Sequence, residues 1–462
     1  MENIFFTLFS FSCLWYNHHR IVLFFEYNVR EVIVMKILIK GGRVIDPATK
    51  TDAMMDVLIS EGKIFKVEKG IKDKADREID ANGCLVMPGF IDLHVHLRDP
   101  GFEEKETIET GTKAAARGGY TTILAMPNTK PVVDNADVVN YVHNKAKNFS
   151  GVNVLQIGAV TKGQKGEEVS DIREMVKAGS PAISEDGKSV MNTAVYREAM
   201  KIAREEGIPV FAHCEDVYLA GSGMINEGPK AKELGYPGIA NEVEDTIVAR
   251  DIMLAKAVGV KLHLCHCSTR DSVLMLKYAK SEDIAVTGEA CPHHFTLCEE
   301  DILEDDPNYK MNPPLRAKED LEAIRRGLKD DIIDVIATDH APHAPYEKGI
   351  SIKKSPFGIV GLETSASLTY SELVLKEGLT LMQMAEKMSY NPAKVIGIDK
   401  GSLEVGKIAD VVIFDPRKVY TIDAGKFAGK SRNTPFHGRK VTGQVMITIS
   451  SGEVIYENKE EE

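Results

Sequence analysis

Basic charge is in deficit in this sequence: 57 Lys and Arg stand against 69 Asp and Glu, a formal net charge of -12. Without a cationic surplus there is little to displace counterions from a phosphate backbone, so nucleic acid is excluded as the main partner. Long apolar runs are lacking too. A membrane span needs about 20 uninterrupted apolar residues, and no stretch reaches that length, so no membrane partner is expected. Cysteine is sparse: seven in 462 residues, an odd number thinly spread. That excludes a disulfide framework and fits the reduced thiols of a cytoplasmic protein. Also missing is the glycine-rich first turn that an open, nucleotide-binding doubly wound sheet usually carries. What is present is a chain with 43% hydrophobic residues. It can bury a large core and exceeds the usual span of one domain, so one large domain plus a smaller one is expected.

Residues 1–34 differ in character from the rest. Aromatics crowd into positions 4–11 and 21–25, broken by Asn17, His18, His19 and Arg20. Glu2 in place of a basic start, and the want of a small-residue cleavage site, argue against a secretory signal. We read Met35 as the natural start and residues 1–34 as an N-terminal extension that is not native or is disordered. A short membrane-surface or partner-binding appendage is the alternative.

From Met35 short alternating apolar segments at 36–39, 56–59 and 63–67, separated by turn residues, predict a small antiparallel element. Similar segments return at 409–414, 444–449 and 452–456, so the two ends are expected to pair into one β-sandwich. Between them the period switches repeatedly from strand to helix. Candidate strands fall at 90–96, 121–126, 152–160, 182–185, 209–214, 261–267, 284–289 and 334–338. Amphipathic stretches lie between them, among them 106–117 closed by Gly118-Gly119, 194–206 closed by Gly207 and 241–258 closed by Gly259. Eight strand-helix units in about 250 residues describe an α/β architecture of the (β/α)8 TIM-barrel type. The expected domains are 35–88 and 397–462 for the sandwich and 89–396 for the barrel.

Ligand-type side chains recur at one place in these units, the carboxyl end of the strand. His94 and His96 end the first, Asp186 follows the fourth, His213 ends the fifth, His266 the sixth and Asp339 the eighth. In a barrel these ends converge on one face, where catalytic groups are expected. Residues i and i+2 of a strand point the same way, so His94 and His96 can grip one ion together. A single strand-end histidine is more often hydrogen-bonded structure than ligand. Six ligand-type residues at equivalent ends of five units would be improbable as independent accidents. Imidazole and carboxylate suit Zn²⁺, and four His with two Asp are too many for one tetrahedral ion, so two ions sharing a carboxylate are expected. Cys265 and Cys267 flank His266 and, by strand alternation, are expected to face away from it as small core residues.

The segment from Gly89 to His96, Gly-Phe-Ile-Asp-Leu-His-Val-His, resembles the opening signature of the amidohydrolase superfamily. Ala337 to His343, Ala-Thr-Asp-His-Ala-Pro-His, resembles the second signature of the dihydroorotases. The likeness extends from Met35 to about Tyr456, because Leu97-Arg98-Asp99-Pro100-Gly101, Met126-Pro127-Asn128-Thr129, Phe211-Ala212-His213-Cys214-Glu215-Asp216, Lys310-Met311-Asn312-Pro313-Pro314 and Pro356-Phe357-Gly358 follow in the family's order. The resemblance implies that His94, His96, Asp186 and Asp339 hold one zinc, and Asp186, His213 and His266 the other. Many relatives bridge the metals with a carbamylated lysine after the fourth strand. Here Ser180-Pro181-Ala182-Ile183-Ser184-Glu185-Asp186-Gly187 has no lysine at that end, so Asp186 takes the bridging place, as in the bacterial members often called type I. Glu185 is its adjacent rival, and the family's Asp-Gly step favours Asp186.

The resemblance further implies reversible, zinc-dependent cyclisation of N-carbamoyl-L-aspartate to L-dihydroorotate in pyrimidine biosynthesis. Asp339 would be the proton carrier. Dihydroorotate carries a carboxylate that hydantoins and dihydrouracil lack, and Arg98, two residues beyond His96, has the planar fork to bind it. Asn128, Asn312, His343 and the Phe357-Gly358 backbone would contact the rest of the small-molecule substrate. The loop at 340–356 is a candidate mobile cover. The alternatives are a related hydantoinase, dihydropyrimidinase or allantoinase, and a non-catalytic scaffold homologue. A homodimer, with aspartate transcarbamoylase as a candidate associate, completes the expectations.

Overall fold

The computed structural model describes residues 35–149 and 151–459. The expectation for the N-terminal extension falls on residues 1–34 and lies outside the described residues. The first strands, β1 (Ile37–Asp46), β2 (Thr51–Ser60) and β3 (Lys63–Glu68), form an antiparallel run, and β4 (Arg77–Asp80) and β5 (Leu85–Pro88) both pair parallel with β1. The last strands, β17 (Val411–Thr421), β18 (Lys440–Ser450) and β19 (Glu453–Glu457), join this sheet directly. β17 pairs antiparallel with β5, matching Val411 to Pro88 and Ile413 to Val86. Both chain ends thus share one eight-stranded sheet. Ile37, Ile39, Val57 and Ile59 from one end are buried in a common cluster with Val411, Ile413 and Ile449 from the other. Aliphatic alternation makes this possible, since every second side chain of a strand faces the same layer.

The central segment is α/β, with parallel strands separated by helices. β6 (Phe90–Val95), β7 (Tyr120–Ala125) and β8 (Asn153–Gln156) form one parallel group. β9 (Gly158–Ala159), β10 (Ile183–Ser184), β11 (Val210–Ala212), β14 (Leu262–Leu264), β15 (Val286–Ala290) and β16 (Val335–Ile336) form another. A separate short pair, β12 (Ile225–Asn226) and β13 (Gly238–Ile239), sits in the connection after β11. Only Ile157 separates β8 from β9, and its N–H donates to Ala125 O at 3.0 Å. At the other margin Val95 bridges His340 in parallel fashion, and His96 N–H donates to His340 O at 2.8 Å. Asp92 accepts from Thr338 N (3.1 Å) and Oγ1 (2.6 Å), tying the first strand of this set to the segment after the last. The expected strands 182–185 and 334–338 are shorter in the structure because the chain leaves the ladder just where it presents Asp186 and Asp339.

The helices begin and end where local chemistry dictates. Thr107 caps Ile108–Arg117 by accepting from Thr110 N, and Asn192 caps Thr193–Glu206 through Ala194 N and Val195 N. Thr193–Glu206 and Glu242–Val258 stop at Gly207 and Gly259, at φ +74° and +77°, where a side chain would strain the left-handed backbone. All six residues of β6 and of β7 are buried, as expected of parallel strands covered on both faces. Among the described residues no helix is long and apolar enough to cross a membrane.

Candidate active site

Because the central strands run parallel, their carboxyl ends lie on one side, and each ligand-type residue sits at or just past such an end. His94 lies within β6 and His96 one residue beyond it; Asp186, His213 and His266 follow β10, β11 and β14 within two residues; Asp339 lies three residues after β16. Three residues here adopt positive φ without being glycine: Arg98 at 60°, His266 at 33° and Asp339 at 48°. Such backbone costs on the order of 1–3 kcal/mol per residue and persists where surrounding bonds over-determine it, which happens most at functional sites.

The structure brings all six together. Asp186 Oδ1 lies 3.1 Å from His94 Nε2, 3.6 Å from His213 Nδ1 and 3.9 Å from His266 Nε2, while its Oδ2 is 3.5 Å from His96 Nε2. Asp339 Oδ1 meets only the first pair, at 3.6 Å from His94 Nε2 and 3.1 Å from His96 Nε2. His213 Nδ1 and His266 Nε2 approach to 2.9 Å. One carboxylate therefore meets four imidazoles; His94, His96 and Asp339 form one compact group and His94, Asp186 and His266 another, with His94 common to both. Glu185, the rival at the bridging place, accepts instead from the N–H (2.9 Å) and the hydroxyl of Thr161. Lys188 is exposed and donates to Gln164 O.

A second ring of residues sets the tautomers. His94 Nδ1–H donates to Glu289 Oε1 at 2.8 Å, which leaves Nε2 as the inward lone pair. Glu289 also accepts from His263 Nε2–H at 3.0 Å and His266 N–H at 3.2 Å. His213 Nε2–H donates to Glu215 at 2.9 Å, freeing Nδ1 for the interior. Sequence reasoning passed over Glu289 and Glu215, although Glu289 near the end of the seventh strand obeys the same positional rule that found the histidines. Cys265 is buried in an apolar cluster with Leu93, Phe211 and Ala337, and its thiol also shares a compact group with His94 and Glu289.

The electrostatics of the cluster favour positive charge. Burial opposes ionisation of Asp186, yet His94, His213 and His266 hold its carboxyl well below the usual range. Burial likewise opposes Asp339, but the hydrogen bond from His96 and the charges of the neighbouring imidazoles bring it down to about 2. Against the effect of burial, Asp186 and Glu215 raise His213 to about 10. Protons and a metal ion compete for the same lone pairs in such a set. His94 Nε2 is buried, lies 3.1 Å from a carboxylate oxygen, and still has no hydrogen-bond partner. Convergent imidazole nitrogens and carboxylates, one nitrogen orphaned, fit a divalent cation with nitrogen and oxygen preference.

The residues expected to contact substrate divide. Asn128 is drawn to the cluster: its Oδ1 accepts from His96 Nδ1–H at 2.9 Å and its Nδ2 donates to Asp186 Oδ2 at 3.2 Å. Arg98 is half-buried, donates through Nε to Pro342 O at 3.2 Å, and makes no ion pair among the described residues. Asn312 Nδ2 donates to Glu215 at 3.0 Å, and His343 Nε2–H donates to Phe357 O at 2.7 Å. Burial, then the nearby Arg98 charge, drive His343 down to about 2, so its ring is neutral and its buried Nδ1 is an unpaired acceptor. Gly358 adopts φ +123°, and a Cβ there would meet the Ala341 side chain at 2.6 Å.

Comparison with known proteins points the same way. A family model described as "Dihydro-orotase-like" matches residues 83–272. The dihydroorotase of Pelotomaculum thermopropionicum is 47% identical over 426 residues, covering 92% of this chain and 99% of that protein. The dihydroorotase of Clostridioides difficile is 48% identical over 421 residues, with 91% and 99% covered. Among solved structures, the L-hydantoinase (dihydropyrimidinase) from Arthrobacter aurescens superposes with a TM-score of 0.83 at 27% identity, over 92% of this chain and 97% of that one. Dihydropyrimidinase from Brevibacillus agri gives 0.79 at 26%, over 92% and 96%.

Proposed function

The chain belongs to the dihydroorotase family, and from that premise we propose that it interconverts N-carbamoyl-L-aspartate and L-dihydroorotate, in the manner of the type I bacterial members. It is an enzyme, a cyclic amide hydrolase. The observation that carries the reading is Asp186, a single carboxylate within 3.9 Å of four histidines. Two zinc ions fit this reading, one held by His94, His96, Asp186 and Asp339 and the other by Asp186, His213 and His266. The central strands close in this reading into an eight-stranded barrel, with β8 and β9 counted as one strand and the terminal sheet folded as a sandwich beside it. We place the enzyme in the cytoplasm as a homodimer, with aspartate transcarbamoylase a candidate associate.

Zinc, when bound, acidifies water and polarises a carbonyl, which makes attack on a cyclic amide feasible at neutral pH. The remaining work falls to side chains. Asp339, beside both His94 and His96, takes a proton from the attacking water and delivers it to the departing ring nitrogen; ring closure reverses those roles. Arg98 forks the substrate carboxylate, a group absent from hydantoin. His343 offers its unpaired Nδ1 to a ring N–H, and Asn312 and the Phe357–Gly358 backbone supply further hydrogen bonds. Glu289, Asn128 and Glu215 hold the imidazoles in the required tautomers.

The structural neighbours named for hydantoin and dihydropyrimidine chemistry make a related amidohydrolase the second reading, which Asp186 in place of a lysine at the carboxyl end of β10 and the presence of Arg98 oppose. Assaying the zinc-loaded protein on dihydroorotate and hydantoin side by side, with a metal count, decides between them. Turnover of dihydroorotate alone supports the proposal, and turnover of hydantoin alone sinks it. Activity that emerges only on adding aspartate transcarbamoylase would replace the free enzyme with an obligate complex.

A further inference from the structure

A buried cation holds the loop after Asp339, and the chemistry above leaves it unused. Lys348 ends the short helix Pro345–Lys348 and is 5% exposed. Its ammonium donates to three backbone carbonyls, those of Pro307 (2.8 Å), Lys310 (2.9 Å) and Pro356 (3.0 Å). Among the described residues it forms no ion pair with a carboxylate. The three carbonyls belong to two chain segments: one runs on to Asn312, the other into Phe357–Gly358. Their junction is laced by further bonds. Gly358 N–H donates to Lys310 O at 3.0 Å, Lys310 Nζ donates to Ser355 O at 2.7 Å, and the Lys310 ammonium sits 4.6 Å from the Phe357 ring centroid. His343 joins the same junction through Phe357 O.

Donor and acceptor counts match only in one protonation state. An ammonium has three N–H donors for three carbonyls, whereas the neutral amine has two and must drop one of the three bonds; Lys310 O and Pro307 O keep backbone donors of their own, from Gly358 N–H and Lys310 N–H. We propose that Lys348 is a positioning residue for substrate capture, its three-bonded ammonium locking the Asn312 and Phe357–Gly358 segments in register, with loss of the proton releasing one of them. The inference rests on the dihydroorotase reading. The charged groups around Lys348 agree with a proton lost near neutrality. Burial, and then the Lys310 ammonium, bring it down to about 7, with Asp306 and Glu347 pulling the other way. The clamp is complete below that pH and weakened above it.

The test is steady-state kinetics of the full-length, zinc-loaded enzyme on dihydroorotate at pH 6 and pH 9, for wild type, Lys348→Met and Lys348→Arg. At pH 6, Lys348→Met is expected to raise KM about tenfold, with kcat within about twofold and metal content unchanged, a loss of binding and not of chemistry. At pH 9 the ratio of Met to wild-type KM shrinks to about threefold or less, because the wild type has itself lost the proton. Lys348→Arg, always charged and multiply donating, recovers part of the KM and changes less than wild type between the two pH values. Lys348→Met with wild-type KM at pH 6, or with the same ratio at both pH values, overturns the proposal. So does a parallel loss of kcat and metal. If Lys348→Met fails to fold, the wild-type and Arg profiles decide, and identical pH dependence in the two overturns it. A wild type without turnover of dihydroorotate sinks the functional reading itself, whereas an active wild type with an unaffected variant sinks only the role of Lys348.

Discussion

At the floor of the site Asp186 meets four imidazoles within 3.9 Å, and three of those rings, on His94, His96 and His213, have the far nitrogen tied to Glu289, Asn128 and Glu215. At the rim, Arg98 rests on one backbone carbonyl, His343 on another, and Asn312 on the side chain of Glu215. The floor is a closed set of charges and lone pairs projecting from strand ends. The rim is a set of loops held to one another through main-chain oxygens. On the proposed function the floor would hold a small ion, which tolerates no slack, and it is anchored at strand ends and braced twice; the rim, which would admit and release substrate, is held more lightly.

This contrast can be broken in order of expected effect. Chelation of the metal should abolish turnover, with recovery on adding Zn²⁺; full activity in a metal-free preparation would remove the cation from the floor altogether. Asp339→Asn should lower kcat by roughly 10²- to 10⁴-fold, the range of a lost proton carrier, while much of the metal stays bound. Normal turnover in that variant would reassign the proton. Arg98→Met should raise the KM for dihydroorotate by roughly 10- to 100-fold, corresponding to about 1.5–3 kcal/mol of charge-assisted hydrogen bonding, with metal content intact. Equal losses of metal and KM would make Arg98 part of the floor and erase the distinction. Glu289→Gln should weaken zinc affinity by about 10- to 100-fold through the freed His94 ring, measured by competition with a chromophoric chelator. Unchanged affinity there would mean that the second ring orients nothing. Glu185→Gln, by contrast, should leave metal content within about twofold, because that side chain is spent on Thr161.

The strand ends were legible in the sequence because a parallel strand in an α/β fold announces itself by an apolar run and a turn. A ligand at its carboxyl end then has only one direction to face. That is why His94, His96, Asp186, His213, His266 and Asp339 could be named before any geometry was known. The preference for Asp186 over Glu185 came from a family pattern, and the contact with Thr161 gives it a physical reason. Cys265 was legible as a small core residue, whereas its nearness to His94 and Glu289 depends on how β14 ends one residue before it. The bonds of Asn128 to His96 and Asp186 are a second feature that spacing alone does not announce.

Sequence by itself determined the alternation of strands and helices, the pairing of the two ends of the described chain, and the six ligand-type residues that converge, because these follow from periodicity and residue chemistry that act locally. Tertiary structure alone decided which carboxylates brace the histidines, which nitrogen of each ring points inward, and that Lys348 ties two distant segments through their carbonyls. Those choices depend on main-chain atoms and ring orientations common to every residue of a given type, and only the packed chain gives each of them a partner.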